Sequence, residues 1–155
     1  MTTSDFSFIP DFLPALLSSP AALHARERLV RTIEAGRLTP RQRARIALVV
    51  AEQSGSDYCI WAQTCVARHA GLRWEEIVFS TMGTALGPRD AAIVRFARQI
   101  ACSGTFCAED ASQLARDPAL QRSDVEEIVA IAALAILDNY LIMQLAPAAA
   151  AKRAA

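Results

Sequence analysis

The sequence predicts an all-α fold, and three observations carry that expectation. Alanine, the strongest helix former, makes up about a fifth of the 155 residues, against 6 glycines and 7 prolines. Aromatic residues are only 6%, which is poor material for a β-rich core. No stretch alternates apolar and polar residues with a strand's period of two; apolar positions recur instead at helical spacing between Ser/Thr-Pro starts and glycine stops. With 53% apolar and 21% charged residues, the chain can bury one core of useful size and does not read as disordered. About seven or eight helices are expected, joined by short connections that favour antiparallel neighbours. They form a single domain over 1–147, followed by a low-complexity tail over 148–155 that is expected to fray.

The elements follow in order. "SPAALHARERLVRTIEAG" begins at a capping serine, Ser18 or Ser19, has Pro20 in its first turn and stops at Gly36. "LTPRQRARIALVVAEQSG" repeats this grammar with Thr39, Pro40 and Gly55. Ser56 or Asp57 caps "SDYCIWAQTCVARHAG", which Gly71 closes, and "RWEEIVFSTMG" is a short helix ending near Gly83. Ala91 to Ser103 carries one apolar stripe through Ile93, Val94, Phe96, Ala97 and Ile100, and Gly104 ends it. Ala108 to Asp117 reads as a further short helix. Ser123, with Glu126 three residues on, reads as the capping box of a final helix from Asp124 to about Leu145. That helix is apolar nearly all round, so it is expected in a core or a subunit interface.

Composition also excludes function classes. Lys+Arg and Asp+Glu are both 16, so neither a nucleic-acid footprint nor a polybasic membrane patch is present. Asp5, Asp11, Pro10 and Pro14 break the pattern of a targeting signal, and the longest apolar run, Ile128 to Leu137, is far short of a span. The chain reads as cytoplasmic. Its four cysteines then read as thiols, redox groups or metal ligands rather than structural disulfides. Cys102 and Cys107 flank a helix end, but no second pair completes a zinc set.

The informative stretch is "EQSGSDYCIWAQTCVARHAG", from Glu52 to Gly71. One helix ends at Gly55 and the next starts at once, with Cys59 in its first turn. Backbone N–H groups and the positive end of the helix dipole favour a thiolate there, so Cys59 is expected to alkylate ahead of Cys65, Cys102 and Cys107. Ser56 lies three residues before Cys59 and Gln63 four after, which places all three on one helical face, expected to border a single cavity near Glu52. Glu52 is a candidate general base at the end of the preceding helix. Cys65 and His69 also share a face, which permits a thiol–imidazole contact. Tyr140 with Asn139, near the end of the last helix, is a further candidate for the pocket, although packing is the simpler role for Tyr140.

The segment resembles the redox helix of the alkylhydroperoxidase D-like branch of the carboxymuconolactone decarboxylase family, "NGCxYCxxxHT" followed by "AG(L)…EE(I)". Here "SGSDYC", with Tyr58 before Cys59, and "QT" precede "HAGLRWEEI", and "SPAAL", "GRLTPRQRARIALVVAE" and "EIVAIAALAILDNYL" look like the family's other blocks. The resemblance implies the alkylhydroperoxidase D-like helical fold and a thiol–disulfide cycle, in which one cysteine reduces a peroxide to give a sulfenic acid and its partner resolves it. Carried over by position, the second motif cysteine falls on Cys59. The first falls on Ser56, which forms no disulfide, the histidine on Gln63, which does not titrate, and the relay glutamate on Ala44, with Glu52 as a carboxylate closer to the motif. A second frame on Cys65 and His69 would put Ala62 at the first cysteine and loses the match at "YC" and Thr64.

Three activities are compatible with this. The first is a peroxidase-like, peroxiredoxin-type antioxidant acting through Cys59, with the dithiol cycle impaired and Cys65 or an external thiol needed for resolution. The second is a non-catalytic or repurposed oligomeric relative. A lactone decarboxylase fits less well, because no acid–base pair replaces the relay. The resemblance implies a homo-oligomer, a trimer or a hexamer, a small-molecule substrate with a thiol reductant, and no metal or organic cofactor.

Overall fold

The computed structural model describes residues 19–102 and 116–153. Among these residues the chain forms six helices and no strand: α1 (Pro20–Glu34), α2 (Pro40–Ser54), α3 (Asp57–His69), α4 (Trp74–Thr81), α5 (Pro88–Cys102) and α6 (Arg122–Arg153). The all-α expectation holds. The helix expected over Ala108–Asp117 falls mostly on residues outside those described, as does Cys107.

The first three starts follow the sequence grammar. The Ser19 hydroxyl accepts from the Ala22 N–H, and Pro20 occupies the first turn of α1. Thr39 and Gln42 form a reciprocal capping box around Pro40, satisfying two otherwise orphaned N–H groups. Gly55 takes a left-handed φ of 63°, which lets α2 stop at Ser54 and α3 start at Asp57 after a single capping residue.

Two later starts differ from expectation. Helix α5 begins at Pro88 rather than Ala91, because Gly87, at φ 122°, turns the chain into a proline already set for the first helical position. Helix α6 begins at Arg122, so Ser123 lies inside its first turn instead of capping it. The Asp124 carboxylate accepts from the Gln121 N–H at 2.8 Å, and the Ser123 hydroxyl is left to accept from Arg37 at 2.8 Å. The same helix continues through the expected tail to Arg153, as its alanine run allows.

Helix α2 is the axis of the molecule. It is buried continuously from Ala44 to Ala51 and packs against α3, α4, α5 and α6. A helix covered on all sides needs apolar residues all round, and "ARIALVVA" supplies them apart from Arg45. Ile46, Val49 and Val50 of α2 meet Ile93 and Phe96 of α5 and Ile128, Ile131 and Ala135 of α6 in the main core. Each large side chain buried there contributes about 1.5–3 kcal/mol.

Charged residues inside this bundle are paired. Arg26 of α1 holds Asp138 of α6 through two hydrogen bonds of 2.7 and 2.9 Å. Arg45 of α2 reaches Glu76 of α4 at 2.6 Å, and Arg89 of α5 grips both oxygens of Asp124 on α6 at 2.9 Å. Among the described residues no helix is long and apolar enough to cross a membrane.

Candidate functional site

The start of α3 sits directly after the end of α2, and the geometry is set by the Gly55 turn. Ser56 is the N-cap of α3, and its Oγ accepts from the Cys59 N–H at 3.4 Å. The serine at the first motif position therefore works as a cap. Cys59 follows in the first turn and is 0% exposed. It packs among Ala51, Ala62 and Ile142, with Leu23 and Leu141 beside them. Its Sγ donates to the Asn139 carbonyl of α6 at 3.9 Å.

Gln63, one turn further along, is 1% exposed, and its Oε1 has no hydrogen-bond partner among the described residues. A buried acceptor left in this state costs about 1–3 kcal/mol. Gln63 lines a cavity of about 50 Å³ enclosed by α1, α2, α3 and α6, and Ala44 lines the same cavity. The two positions that the resemblance assigns to the relay histidine and glutamate therefore line one cavity. Cys59 and Ser56 line neither this cavity nor the second one described below. The spacing places Ser56, Cys59 and Gln63 on one helical face; α6 packs directly on the cysteine end through Asn139 and Ile142 and, at the glutamine end, forms one wall of the cavity with Leu134 and Asp138.

Glu52 is exposed at the end of α2 and lines neither this cavity nor the second one described below. Its carbonyl accepts from the Gly55 N–H in the turn. Cys65 is a half-buried free thiol, and His69 is exposed in the last turn of α3. The Tyr58 ring lies 5.6 Å from that of Trp61, tilted by 43°. Cys102 is an exposed free thiol whose Sγ lies 3.0 Å from Gln53 Oε1. Among the described residues no group of three or more His, Cys, Asp or Glu side chains is arranged to hold a metal ion.

Two residues of α6 gain importance from the structure. Asp138 lines the relay-position cavity beside Gln63, and sequence reasoning passed over it. Burial pushes its carboxyl above the usual aspartate range, against the opposing pull of Arg26. The available signal was a lone carboxylate inside the apolar run "AILDNYL". Asn139 is 4% exposed, and neither atom of its side-chain amide has a partner among the described residues. It lines a second cavity of about 380 Å³ together with Tyr140. Tyr140 is 64% exposed at this cavity and does not pack into the core.

Residues 20–101 match the model of the carboxymuconolactone decarboxylase family. No curated protein and no solved structure matches the chain.

Proposed function

Because the chain belongs to the carboxymuconolactone decarboxylase family, we propose that it is a peroxidase-type member in which the dithiol cycle no longer runs. What remains is one buried thiol on an intact helical scaffold. The observation that carries this reading is the environment of Cys59: fully enclosed, with the hydroxyl of Ser56 where a resolving thiol belongs. In the dithiol cycle a thiolate sulfur attacks the peroxide, breaking the O–O bond to give a sulfenic acid and releasing an alcohol or water. A second thiol then displaces the sulfenic hydroxyl as water and forms the disulfide. Ser56 cannot supply that second sulfur. Gln63 cannot shuttle the proton, and Ala44 has no ionisable group. The test is peroxide consumption by the wild-type protein with dithiothreitol as reductant. No turnover above the uncatalysed rate is expected; a saturable, enzyme-dependent rate would overturn the reading.

One observation favours a second reading. Cys59 lies in the first turn of α3, where N–H groups stabilise a thiolate once it forms. A peroxide reaching it would give a single-thiol reaction, in which an external thiol condenses with the sulfenic acid, releasing water, and a second external thiol reduces the mixed disulfide. Enzyme-dependent turnover that persists in Cys65→Ser and vanishes in Cys59→Ala would select this pathway.

The chain is further proposed to work as a homo-oligomer. Support comes from α6, where Val129, Leu137, Tyr140 and Met143 are exposed at helical spacing along one face.

A further inference from the structure

The larger cavity lies between the last turns of α2 and α5 and the middle of α6. At about 380 Å³ it falls within the ~300–1,000 Å³ range of small-molecule sites. Ile100, Ile136 and Met143 supply apolar wall, and the Tyr140 ring stands exposed at its edge. Among the described residues no charged side chain lines it. Asn139 is the distinguishing group, because its amide is enclosed and lacks partners among those residues for both Oδ1 and Nδ2. Its own backbone is pinned, since its carbonyl takes the Cys59 thiol.

A buried amide with both a donor and an acceptor unmet matches a ligand that presents the complementary pair. From this we infer that the cavity binds a neutral small molecule carrying a carboxamide or lactam on an apolar body. The ligand N–H donates to Asn139 Oδ1, and the ligand carbonyl accepts from Nδ2. Both amide atoms are shielded from solvent, so pairing needs a rotamer change of the Asn139 side chain that brings the amide to the cavity wall. A charged ligand is disfavoured because nothing in the described wall compensates its desolvation. The apolar body lies against Ile136, Met143 and the Tyr140 ring. Among the described residues none of the redox helix α3 lines this cavity, and the hydrogen bond of Asn139 to that helix runs through its backbone carbonyl, so the amide is left to the ligand.

The probes are benzamide and acetophenone, which share shape and carbonyl but differ in the N–H donor. Titrations followed by ¹H–¹⁵N NMR should show saturable benzamide binding with a shift of the Asn139 side-chain NH₂ pair. Benzamide should bind at least tenfold more tightly than acetophenone. Asn139→Leu should erase this preference, and Ile136→Trp, which fills the cavity, should abolish binding of both probes. If Asn139→Leu does not fold, Asn139→Asp serves instead: it keeps the shape, removes the Nδ2 donor and should also cost tenfold or more. Equal affinity for the two probes, an unmoved Asn139 NH₂ pair, or undiminished benzamide binding by the Asn139 variant would overturn the inference.

Discussion

At position 56 a hydroxyl stands three residues before a thiol, and its oxygen holds the Cys59 N–H at the start of α3. Replacing it with sulfur weakens a cap, at about 1 kcal/mol, and leaves the bundle folded. Cys59 itself is enclosed, whereas Cys102 is exposed and Cys65 half-buried. Alkylation at neutral pH with peptide mapping should therefore label Cys102 first and Cys59 last of these three, the reverse of the order that a first-turn thiol suggests from sequence. The place of Cys59 in the first turn, the cap at Ser56 and the shared face with Gln63 are legible in the sequence, because each depends on spacing within one helix. The burial of Cys59 is not legible there. It arises from Ile142 and the Asn139 carbonyl, eighty residues away on α6, and from Leu23 on α1. The convergence of Ala44 and Gln63 could be read only by position, through family resemblance.

The helices are tied by buried ion pairs whose partners lie far apart in sequence, and periodicity does not announce them. Arg26 reads as one of several charges on an exposed helix, yet it is buried against Asp138. Removing one partner leaves an uncompensated charge, so Arg26→Met should cost about 3–5 kcal/mol in denaturant unfolding. The double variant Arg26→Met/Asp138→Leu should recover most of that loss, since two apolar side chains replace two desolvated charges. Glu76 behaves differently with pH. The Arg73 backbone N–H, followed by the Arg41 and Arg45 guanidinium groups, holds its pKa at about 2 against 4.5 for a free glutamate, with burial opposing them. Its stabilisation is thus complete above pH 4.5 and lost as the pH falls toward 2, amounting to about 3 kcal/mol by linkage. Asp124, lowered by its hydrogen bonds from Arg89, changes stability in the same direction. Asp138, raised by burial, opposes both as the pH rises through the carboxylate range. Urea midpoints between pH 2 and 6 should fall steeply on the acid side for wild type and more shallowly for Glu76→Gln. Helix starts are the best-read features at this scale, because Thr39, Pro40 and Gln42 act locally. The start of α6 is misread because Arg89, from another helix, fixes Asp124 where Ser123 looks the better cap.

In the whole molecule, α2 is the buried axis, α3, α4, α5 and α6 cover it, and α1 packs on α6. One side of α6 supplies Ile128, Ile131 and Ala135 to the core, while Val129, Leu137, Tyr140 and Met143 remain exposed on the other. An apolar character all round the helix is legible in the sequence; which half faces outward is decided by packing. Sedimentation equilibrium should show an assembly larger than a monomer, and Leu137→Glu should shift it toward the monomer without lowering helix content by circular dichroism. On the proposed reading the scaffold is whole while the redox set is broken. That reading is tested most directly by restoring the set in Ser56→Cys/Gln63→His, with Ala44→Glu added as a third change. Peroxide loss with a dithiol reductant is measured for each protein, with a thiol count before and after oxidation. No turnover is expected for wild type. The double variant should show measurable turnover and the loss of two thiols, as the introduced sulfur forms a disulfide with Cys59. The triple variant should be faster, because the introduced carboxylate and the introduced imidazole both line the cavity shared by positions 44 and 63. A wild-type rate equal to or above that of the restored variants would contradict the reading.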